Sequence, residues 1–418
     1  MTSFSIQTFG CRVNQAEAFS WADELQSHGL RYEKDFTRSD FIVVNSCTLT
    51  SRADRDVRHF IKRASRLNPK ARLILTGCYV ERKSEDFEEF PQAWLLLSNT
   101  DKRNLPAKIL TLATPQDDIP NFPFRSRALV KIQDGCSFRC AFCVIPRVRG
   151  PSVSFGKEEI LAQIKKFINL GFREIVLTGI HLCSYGLDLK PKSSLLELLE
   201  EIESLDGLGR VRLSSLDPRF LSATLLEYIT SSKKICPHFH LSLQHGSDDI
   251  LERMGRKISV EDYRRILAFL RHDSPLASLG ADLVVGFPGE TEDDFETTHR
   301  FLEKSPLTYF HVFSYSPRPG TLAASWPQLN SKVKHERAAL LRKLAGKKNS
   351  NFRRLFVGEE CNAVVIKKEK KESEVLTSNY IKVFAPSSLS EEREEVKVKI
   401  TKVTPRETFG EITDFSNC

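Results

Sequence analysis

Three cysteines, Cys136, Cys140 and Cys143, stand at C-x3-C-x2-C spacing in the run Asp134-Gly135-Cys136-Ser137-Phe138-Arg139-Cys140-Ala141-Phe142-Cys143. Thiolates are soft ligands suited to iron–sulfur clusters. Three of them this close can hold three corners of one cubane and leave its fourth iron open. An open metal position is where chemistry takes place. Zinc is the other use of such a run, but tetrahedral zinc wants a fourth ligand and usually paired C-x2-C units. The triplet follows a strand-like run, Ala128–Gln133.

Three further cysteines each follow a strand. Ser5–Phe9 runs into Gly10-Cys11, Phe41–Val44 into Asn45-Ser46-Cys47, and Arg72–Thr76 into Gly77-Cys78. Helical stretches lie between them, about Gln15–His28 and Ser51–Leu67, with another from Tyr79. Such alternation predicts a parallel sheet with right-handed crossovers. Each cysteine then sits past the carboxyl end of its strand, the edge where open α/β sheets bind ligands. Two readings follow: small buried core residues, or a second three-thiolate cluster with an open iron. Cys183, Cys236, Cys361 and Cys418 lack such company and read as structural.

The chain has 418 residues, enough for two or three domains, and an ordinary soluble composition with 28% charged residues. No apolar run approaches the ~20 residues of a membrane span. Nothing at Met1–Ser5 reads as a signal peptide. Ten cysteines without a secretion signal indicate a reducing cytoplasm and metal ligation rather than disulfides. The net charge of +8 is compatible with a nucleic-acid partner.

Thr111–Asn121 reads as a linker. Beyond it lie six strand candidates: Arg127–Gln133, Glu174–Ile180, Arg210–Leu216, Phe239–Gln244, Ala281–Phe287 and Tyr309–Tyr315. Helices separate them, about Lys157–Leu170, Leu195–Ser204, Leu221–Thr230, Val260–Arg271 and Glu292–Glu303. Six βα repeats are too few for a closed eight-stranded barrel and predict a partial one, its site at the carboxyl strand ends. Polar signals gather there: Thr178-Gly179 with His181, Ser214-Ser215 with Asp217, Gln244-His245-Gly246, and Gly286–Glu290. Gly179 allows a ligand to approach backbone. Asp217 can accept from ribose hydroxyls, and Arg256 can pair with a carboxylate. Turn and cap roles are the alternatives at each position.

Ser331–Arg354 is a helix-like connector with nine Lys or Arg against Glu336 as its one acid. Glu360–Ile366, Tyr380–Ala385, Glu395–Thr401 and Phe409–Thr413 then predict a small antiparallel barrel. Lys367–Ser373 reads as a solvated hairpin loop. The basic candidates for RNA contact are Arg52 and Arg55 on the helix from Ser51, and Lys347, Lys348, Arg353 and Arg354 on the connector. A solvated basic face is the alternative for both helices.

The cysteine triplet, with Phe142 before its last member, resembles the radical S-adenosylmethionine (radical SAM) superfamily. With Thr8-Phe9-Gly10-Cys11-Arg12-Val13-Asn14-Gln15, Asn45-Ser46-Cys47 and Thr76-Gly77-Cys78, the chain is similar over essentially its whole length to the methylthiotransferases of that superfamily. The resemblance implies an α/β architecture in three domains: residues 1–113 with the auxiliary cluster, 122–350 with the radical SAM barrel, and 353–416 as an RNA-binding TRAM barrel. It implies two 4Fe-4S clusters, on Cys136, Cys140 and Cys143 and on Cys11, Cys47 and Cys78. It also implies SAM, for which Thr178, Gly179, Ser214, Asp217, Gln244 and Arg256 are the candidate contacts.

Gly10-Cys11-Arg12-Val13-Asn14-Gln15 looks like the branch that acts on N6-threonylcarbamoyladenosine beside the tRNA anticodon. Its implied reaction places a methylthio group at C2, with SAM as radical source and methyl donor. The implied partners are a tRNA anticodon loop and an electron donor such as flavodoxin or ferredoxin, with no DNA and no membrane. Branches acting on isopentenyladenosine or on a ribosomal-protein aspartate are the alternatives within the family. A non-catalytic iron–sulfur RNA-binding protein is the alternative outside it. His245 and Asp217 depart from the Q-S-G and Glu-Pro patterns of the family, which puts local SAM packing in question.

Overall fold

Phe41-Ile42-Val43-Val44 is apolar on both faces, as a strand covered by helices on both sides must be. It is the centre of the first sheet. The computed structural model describes residues 2–87, 90, 93–113, 126–369, 372–386 and 392–415. Residues 114–121 of the expected linker, Lys370 and Lys371 of the expected loop, and Cys418 lie outside the described residues. The first sheet contains β1 (Ser3–Thr8), β2 (Arg31–Tyr32), β3 (Phe41–Ser46), β4 (Arg72–Gly77) and β5 (Ala93–Leu97). All pairs are parallel, in the order β2-β1-β3-β4-β5. The three strands that lead into cysteine are therefore adjacent, and their carboxyl ends share one edge.

The central unit contains β6 (Ala128–Asp134), β7 (Val153–Ser154), β8 (Glu174–Gly179), β9 (Arg210–Leu213), β10 (Ser215–Leu216), β11 (His238–Gln244), β12 (Ser278–Val285) and β13 (Tyr309–Ser314). It holds two four-stranded sheets, β7-β6-β8-β9 and β10-β11-β12-β13. The strand expected at Arg210–Leu216 breaks at Ser214, and its halves pair with β8 and β11. Apart from the short antiparallel β7, the pairs are parallel, as a partial barrel with helical crossovers requires.

Helix Ser331–Arg354 packs along β13 and leads into β14 (Glu360–Lys368), β15 (Glu372–Thr377), β16 (Lys382–Pro386), β17 (Glu395–Val403) and β18 (Thr408–Phe415). These close into a barrel in the order β14-β15-β16-β18-β17. It is antiparallel except at the parallel pairing of Phe384 with Phe409, which closes it. β15 was not anticipated: the hairpin loop is shorter than Lys367–Ser373 because strand pairing reaches Lys368 and Ser373.

Three of the connector's basic residues, Arg337, Lys348 and Arg353, are engaged in packing. Arg337 pairs with Glu290 and Glu292, both at 2.7 Å. Lys348 Nζ donates to the Ser305 carbonyl at 2.8 Å. Arg353 is buried and donates to the carbonyls of Pro405 (2.9 Å) and Glu407 (2.8 Å) and to Thr408 Oγ1 (3.0 Å). Arg353 therefore tethers the terminal barrel and offers no surface charge, contrary to its assignment as an RNA contact.

Two buried ion networks join the units. Glu17, on helix Arg12–Ser27, lies 2.7 Å from Lys102, 2.9 Å from Lys131 and 3.1 Å from Arg149. Burial alone would raise the Glu17 carboxyl, but Arg149, Lys131 and Lys102 outweigh it and hold it well below the usual range. Arg149 also reaches Asp134 at 2.7 Å, at the end of β6. In the second network, Arg212 forks onto Glu174 at 2.7 and 3.1 Å and donates to the carbonyls of Ser378 and Thr377 in the terminal barrel. Arg210 adds Glu395 at 2.7 Å.

Removing one member of a buried ion cluster strands the others without solvent. Arg149→Met is expected to cost about 3–5 kcal/mol in denaturant unfolding. The Glu174 carboxyl, which burial would raise, is held at about 2 by Arg212 and Arg127. A depressed carboxyl contributes its stability in full above the unfolded-state value near 4.5 and loses it as pH falls toward 2. Wild-type stability should fall by up to about 3 kcal/mol across that window. Glu174→Gln should be less stable at neutral pH and should lack this component of the acid dependence, both read from denaturant midpoints.

Candidate cluster and nucleotide site

The motif residues around the first three cysteines bind one loop to the next. Asn14 Nδ2 donates to the carbonyls of Phe9 (2.8 Å) and Ser46 (2.9 Å), so it joins the Cys11 and Cys47 loops. Asn45 Nδ2 donates to the Asn14 carbonyl and to Glu17 Oε2, both at 3.0 Å. Ser46 Oγ donates to the Thr76 carbonyl at 2.5 Å, joining the Cys47 and Cys78 loops. Gly10 has φ +91°, and a Cβ there would lie 2.5 Å from both Cβ and Sγ of Cys47. The glycine before Cys11 thus makes room for the neighbouring cysteine. Cys47 and Cys78 are buried, and Cys11 is half-buried at the mouth of a cavity.

The second trio hangs from the end of β6. Gln133 is fully buried; its Nε2 donates to the carbonyls of Asp134 and Gly135, both at 2.8 Å, and its Oε1 accepts from the His181 amide at 2.8 Å. The Cys136 amide donates to the Gly150 carbonyl at 3.1 Å, and Ala141 is held by the Met254 carbonyl at 3.0 Å. The two trios meet: Cys78 packs in one small apolar cluster with Val144, Ile145 and Val148, against which Cys136 and Cys143 rest. Arg149 spans the junction, with Nε donating to Cys78 Sγ at 3.2 Å while its other nitrogens hold Asn14 and Asp134.

Burial, with the Cys11 thiol beside it, pushes Cys47 up to about 12; burial, with Cys140 and Cys136 nearby, does the same to Cys143. Burial also raises Cys11 and Cys136. Thiolates crowded in this way need a positive metal centre to shed their protons. The donor set, all sulfur and three per group, fits iron–sulfur clusters. Among the described residues, no three His, Cys, Asp or Glu converge closely enough to hold a single metal ion.

A cavity of about 590 Å³ opens on Cys11, Cys136, Cys140 and Cys143. Of the nucleotide candidates, Gly179, Ser214, Asp217, Gln244 and Arg256 line it. Thr178 is fully buried and is not in its wall. Three polar atoms of this set, Thr178 Oγ1, Ser214 Oγ and Arg256 Nε, are buried without a hydrogen-bond partner among the described residues. Unpaired buried polar atoms are costly, and those of Ser214 and Arg256, in the cavity wall, suit a polar ligand such as SAM. Gln244 has φ +80°, a strained conformation for a side-chain-bearing residue and one that concentrates at ligand sites.

Asp217 is placed differently from the expectation. Its carboxylate accepts from His181 (3.0 Å), Arg219 (2.7 and 3.0 Å) and Arg256 (3.0 and 3.3 Å). It is saturated by side chains and orients two arginines, so it has no free acceptor to give a ribose. His245 lies outside the cavity wall, with Nδ1 beside Thr298 Oγ1 (3.3 Å) and the Ser247 amide (3.1 Å). Its departure from the family pattern therefore concerns packing behind the site. Glu290 is likewise structural, capping the amides of Gly286 and Phe287 and pairing with Arg337. Arg52, Arg55, Lys347 and Arg354 are exposed, and none of the six basic candidates lines the cavity.

The far end of the cavity is made by residues not singled out from the sequence: Arg12, His240, Asp282, Tyr309, His311 and Tyr380. Their signal was present in part. His238-Phe239-His240-Leu241-Ser242-Leu243-Gln244 alternates polar and apolar residues, which places the polar set on the inner face of β11. No local pattern places Tyr380, which arrives from the terminal barrel. Its ring stacks on His238 with centroids 4.2 Å apart, and its hydroxyl accepts from Arg12 Nη2 at 3.1 Å.

Comparison with known proteins agrees with this architecture. Residues 130–302 match the model of the radical SAM superfamily, and residues 3–97 match that of uncharacterized protein family UPF0004. The chain is 37% identical over 398 residues to the threonylcarbamoyladenosine tRNA methylthiotransferase MtaB of Aquifex aeolicus, covering 91% of this chain and 95% of the relative. It is 32% identical to MtaB of Bacillus subtilis, with 96% and 94% covered. Among solved structures, the radical SAM methyltransferase TsrM of Kitasatospora setae superposes with a TM-score of 0.56 at 13% identity, over 78% of this chain and 77% of that one. This likeness concerns the fold alone. Two adjoining cysteine trios, the partial barrel and full-length similarity lead to one conclusion: the chain belongs to the MtaB family of radical SAM methylthiotransferases.

Proposed function

We propose that this chain attaches a methylthio group to C2 of N6-threonylcarbamoyladenosine beside the tRNA anticodon. The observation that carries the reading is the shared apolar cluster of Cys78, Cys136 and Cys143 at one end of a cavity large enough for a base. Cys136, Cys140 and Cys143 would hold one 4Fe-4S cluster, and Cys11, Cys47 and Cys78 a second. When bound, the clusters and SAM supply a carbon radical, sulfur and a methyl group, which acids and bases cannot provide at an unactivated C–H bond.

The protein's own contribution is placement. The loop bonds of Asn14, Ser46 and Gln133 hold the cysteines in position, and Arg149 holds the two trios together. Ser214 and Arg256 present unpaired polar atoms, and Gly179 and Gln244 present wall surface, for SAM; Thr178 lies behind that wall. Val144, Ile145 and Val148 keep water from the junction. A single-stranded anticodon loop can splay a base into such a cavity. The terminal barrel and the exposed Arg52, Arg55, Lys347 and Arg354 are the proposed grip on the surrounding RNA. The division at 1–113, 122–350 and 353–416 follows these roles. A cytoplasmic setting supplies both tRNA and a low-potential donor of the flavodoxin or ferredoxin type.

Iron analysis of anaerobically reconstituted protein should give about eight irons per chain, falling to about four when Cys11, Cys47 and Cys78 are all replaced by Ala. Four in both proteins would remove the second cluster. Nucleoside mass spectrometry on RNA from a strain lacking the gene should show loss of the methylthio group from threonylcarbamoyladenosine alone. Loss from isopentenyladenosine instead, or an unchanged profile, would refute the substrate.

A further inference from the structure

Three arginines line the 590 Å³ cavity, and they are not equivalent. Arg219 and Arg256 are both committed to Asp217, at 2.7 and 3.0 Å. Three further buried arginines near the cavity are likewise paired: Arg149 with Glu17 and Asp134, Arg212 with Glu174, Arg210 with Glu395. Arg12 differs. Its guanidinium donates to the Tyr380 hydroxyl at 3.1 Å, and among the described residues no carboxylate lies within ion-pair distance of it. It is half-buried in the cavity wall, next in sequence to Cys11. A cation placed in a concave, partly dry site, whose contacts among the described residues are the hydroxyl and ring of Tyr380, is a ready receptor for an anion.

The surroundings narrow the anion. Asp282 shares this end of the cavity but is engaged by His240 Nε2 at 3.0 Å. Its carboxylate would oppose a densely charged ligand such as a phosphate, yet can accept from neutral N–H and O–H groups. The lining is thus a cation beside one carboxylate acceptor, with the Tyr309 and Tyr380 rings as walls. This suits a small group that carries one carboxylate together with hydroxyl and amide-type donors.

We propose that Arg12 forms a carboxylate subsite for the substrate's threonylcarbamoyl group, with the Asp282 carboxylate, oriented by His240, facing that group's hydroxyl and ureido N–H. This rests on the substrate reading above and adds the residue that recognises it. Arg12 is a binding residue here, held at its angle by Tyr380 from the terminal barrel. The RNA-binding barrel therefore contributes directly to base selection.

The test compares two anticodon stem–loop RNAs on the reconstituted holoenzyme, one carrying threonylcarbamoyladenosine and one its threonine carboxamide. Both have the same phosphates and differ only at the carboxyl group, an anion in one and a neutral amide in the other. Fluorescence anisotropy reads binding, and mass spectrometry reads the methylthio product. Wild type should bind the acid roughly 10- to 100-fold more tightly than the amide. Arg12→Gln should bring that ratio to near one, and Arg12→Lys should restore most of it. Tyr380→Phe, which removes the hydroxyl but not the charge, should retain an acid preference, whereas a merely structural Arg12–Tyr380 contact requires it to behave as Arg12→Gln does.

An unchanged acid preference in Arg12→Gln would overturn the subsite, as would no preference in wild type. Equal weakening of both RNAs by Arg12→Gln would also overturn it and assign Arg12 to an RNA phosphate. If wild type prefers the acid but yields no methylthio product, the subsite stands and the proposed reaction fails.

Discussion

The structure depends on burying the Arg149 charge. Its guanidinium sits where the first sheet, the end of β6 and the Cys78 loop meet, bonded to Glu17, Asp134, Asn14 and Cys78 Sγ. A cation this deep is tolerable only if every face finds a partner, and its partners come from both units. The contact therefore specifies how the units dock. Asp134 is two residues before Cys136, and Asn14 is three after Cys11. Whatever positions Arg149 also positions both cysteine loops. Apolar packing of Phe19 against Phe167 and Phe172, with centroids 5.1 and 5.7 Å apart, supplies bulk to the same interface without dictating its register.

A second constraint acts at the other end of the cavity. A partial barrel lacks two strands' worth of side chains, and its inner face here is polar, with Glu174, Arg212, His238, His240 and Tyr309. The terminal barrel completes it. Its hairpin carries Tyr380 at φ +70° into the interior, where the ring meets His238 and Arg212 and the hydroxyl meets Arg12. That strain is stabilised by the Arg212 bonds to the carbonyls of Thr377 and Ser378. Gly280 takes part by omission, since a Cβ there would stand 2.1 Å from the Tyr309 ring. The small barrel is thus a structural part of the cavity as well as the expected RNA-binding element.

Much of this was legible along the chain. Helix Ser51–Leu67 and the connector Ser331–Arg354 coincide with the helical stretches expected there. The strand-then-cysteine repeat foretold a shared edge because β1, β3 and β4 are neighbours in a parallel sheet. What local patterns could not convey was the partner of each charge. Asp217 looked like a free acceptor but is filled by Arg219, Arg256 and His181. Arg353 looked like surface charge but is spent on the carbonyls that tie the connector to the barrel. Both errors have one cause: a side chain's chemistry is local, whereas its exposure depends on elements distant in sequence.

By itself, then, the sequence determined the thiol inventory, the strand ends that carry it and the family, because these follow from residue type, spacing and short-range periodicity. Tertiary structure decided which thiols adjoin, which arginines of the cavity wall are already neutralised and which, among the described residues, is not. Those are long-range matters of burial and pairing. They make Arg12, one residue after a cluster cysteine and 368 residues from the tyrosine that holds it, part of the cavity's charge.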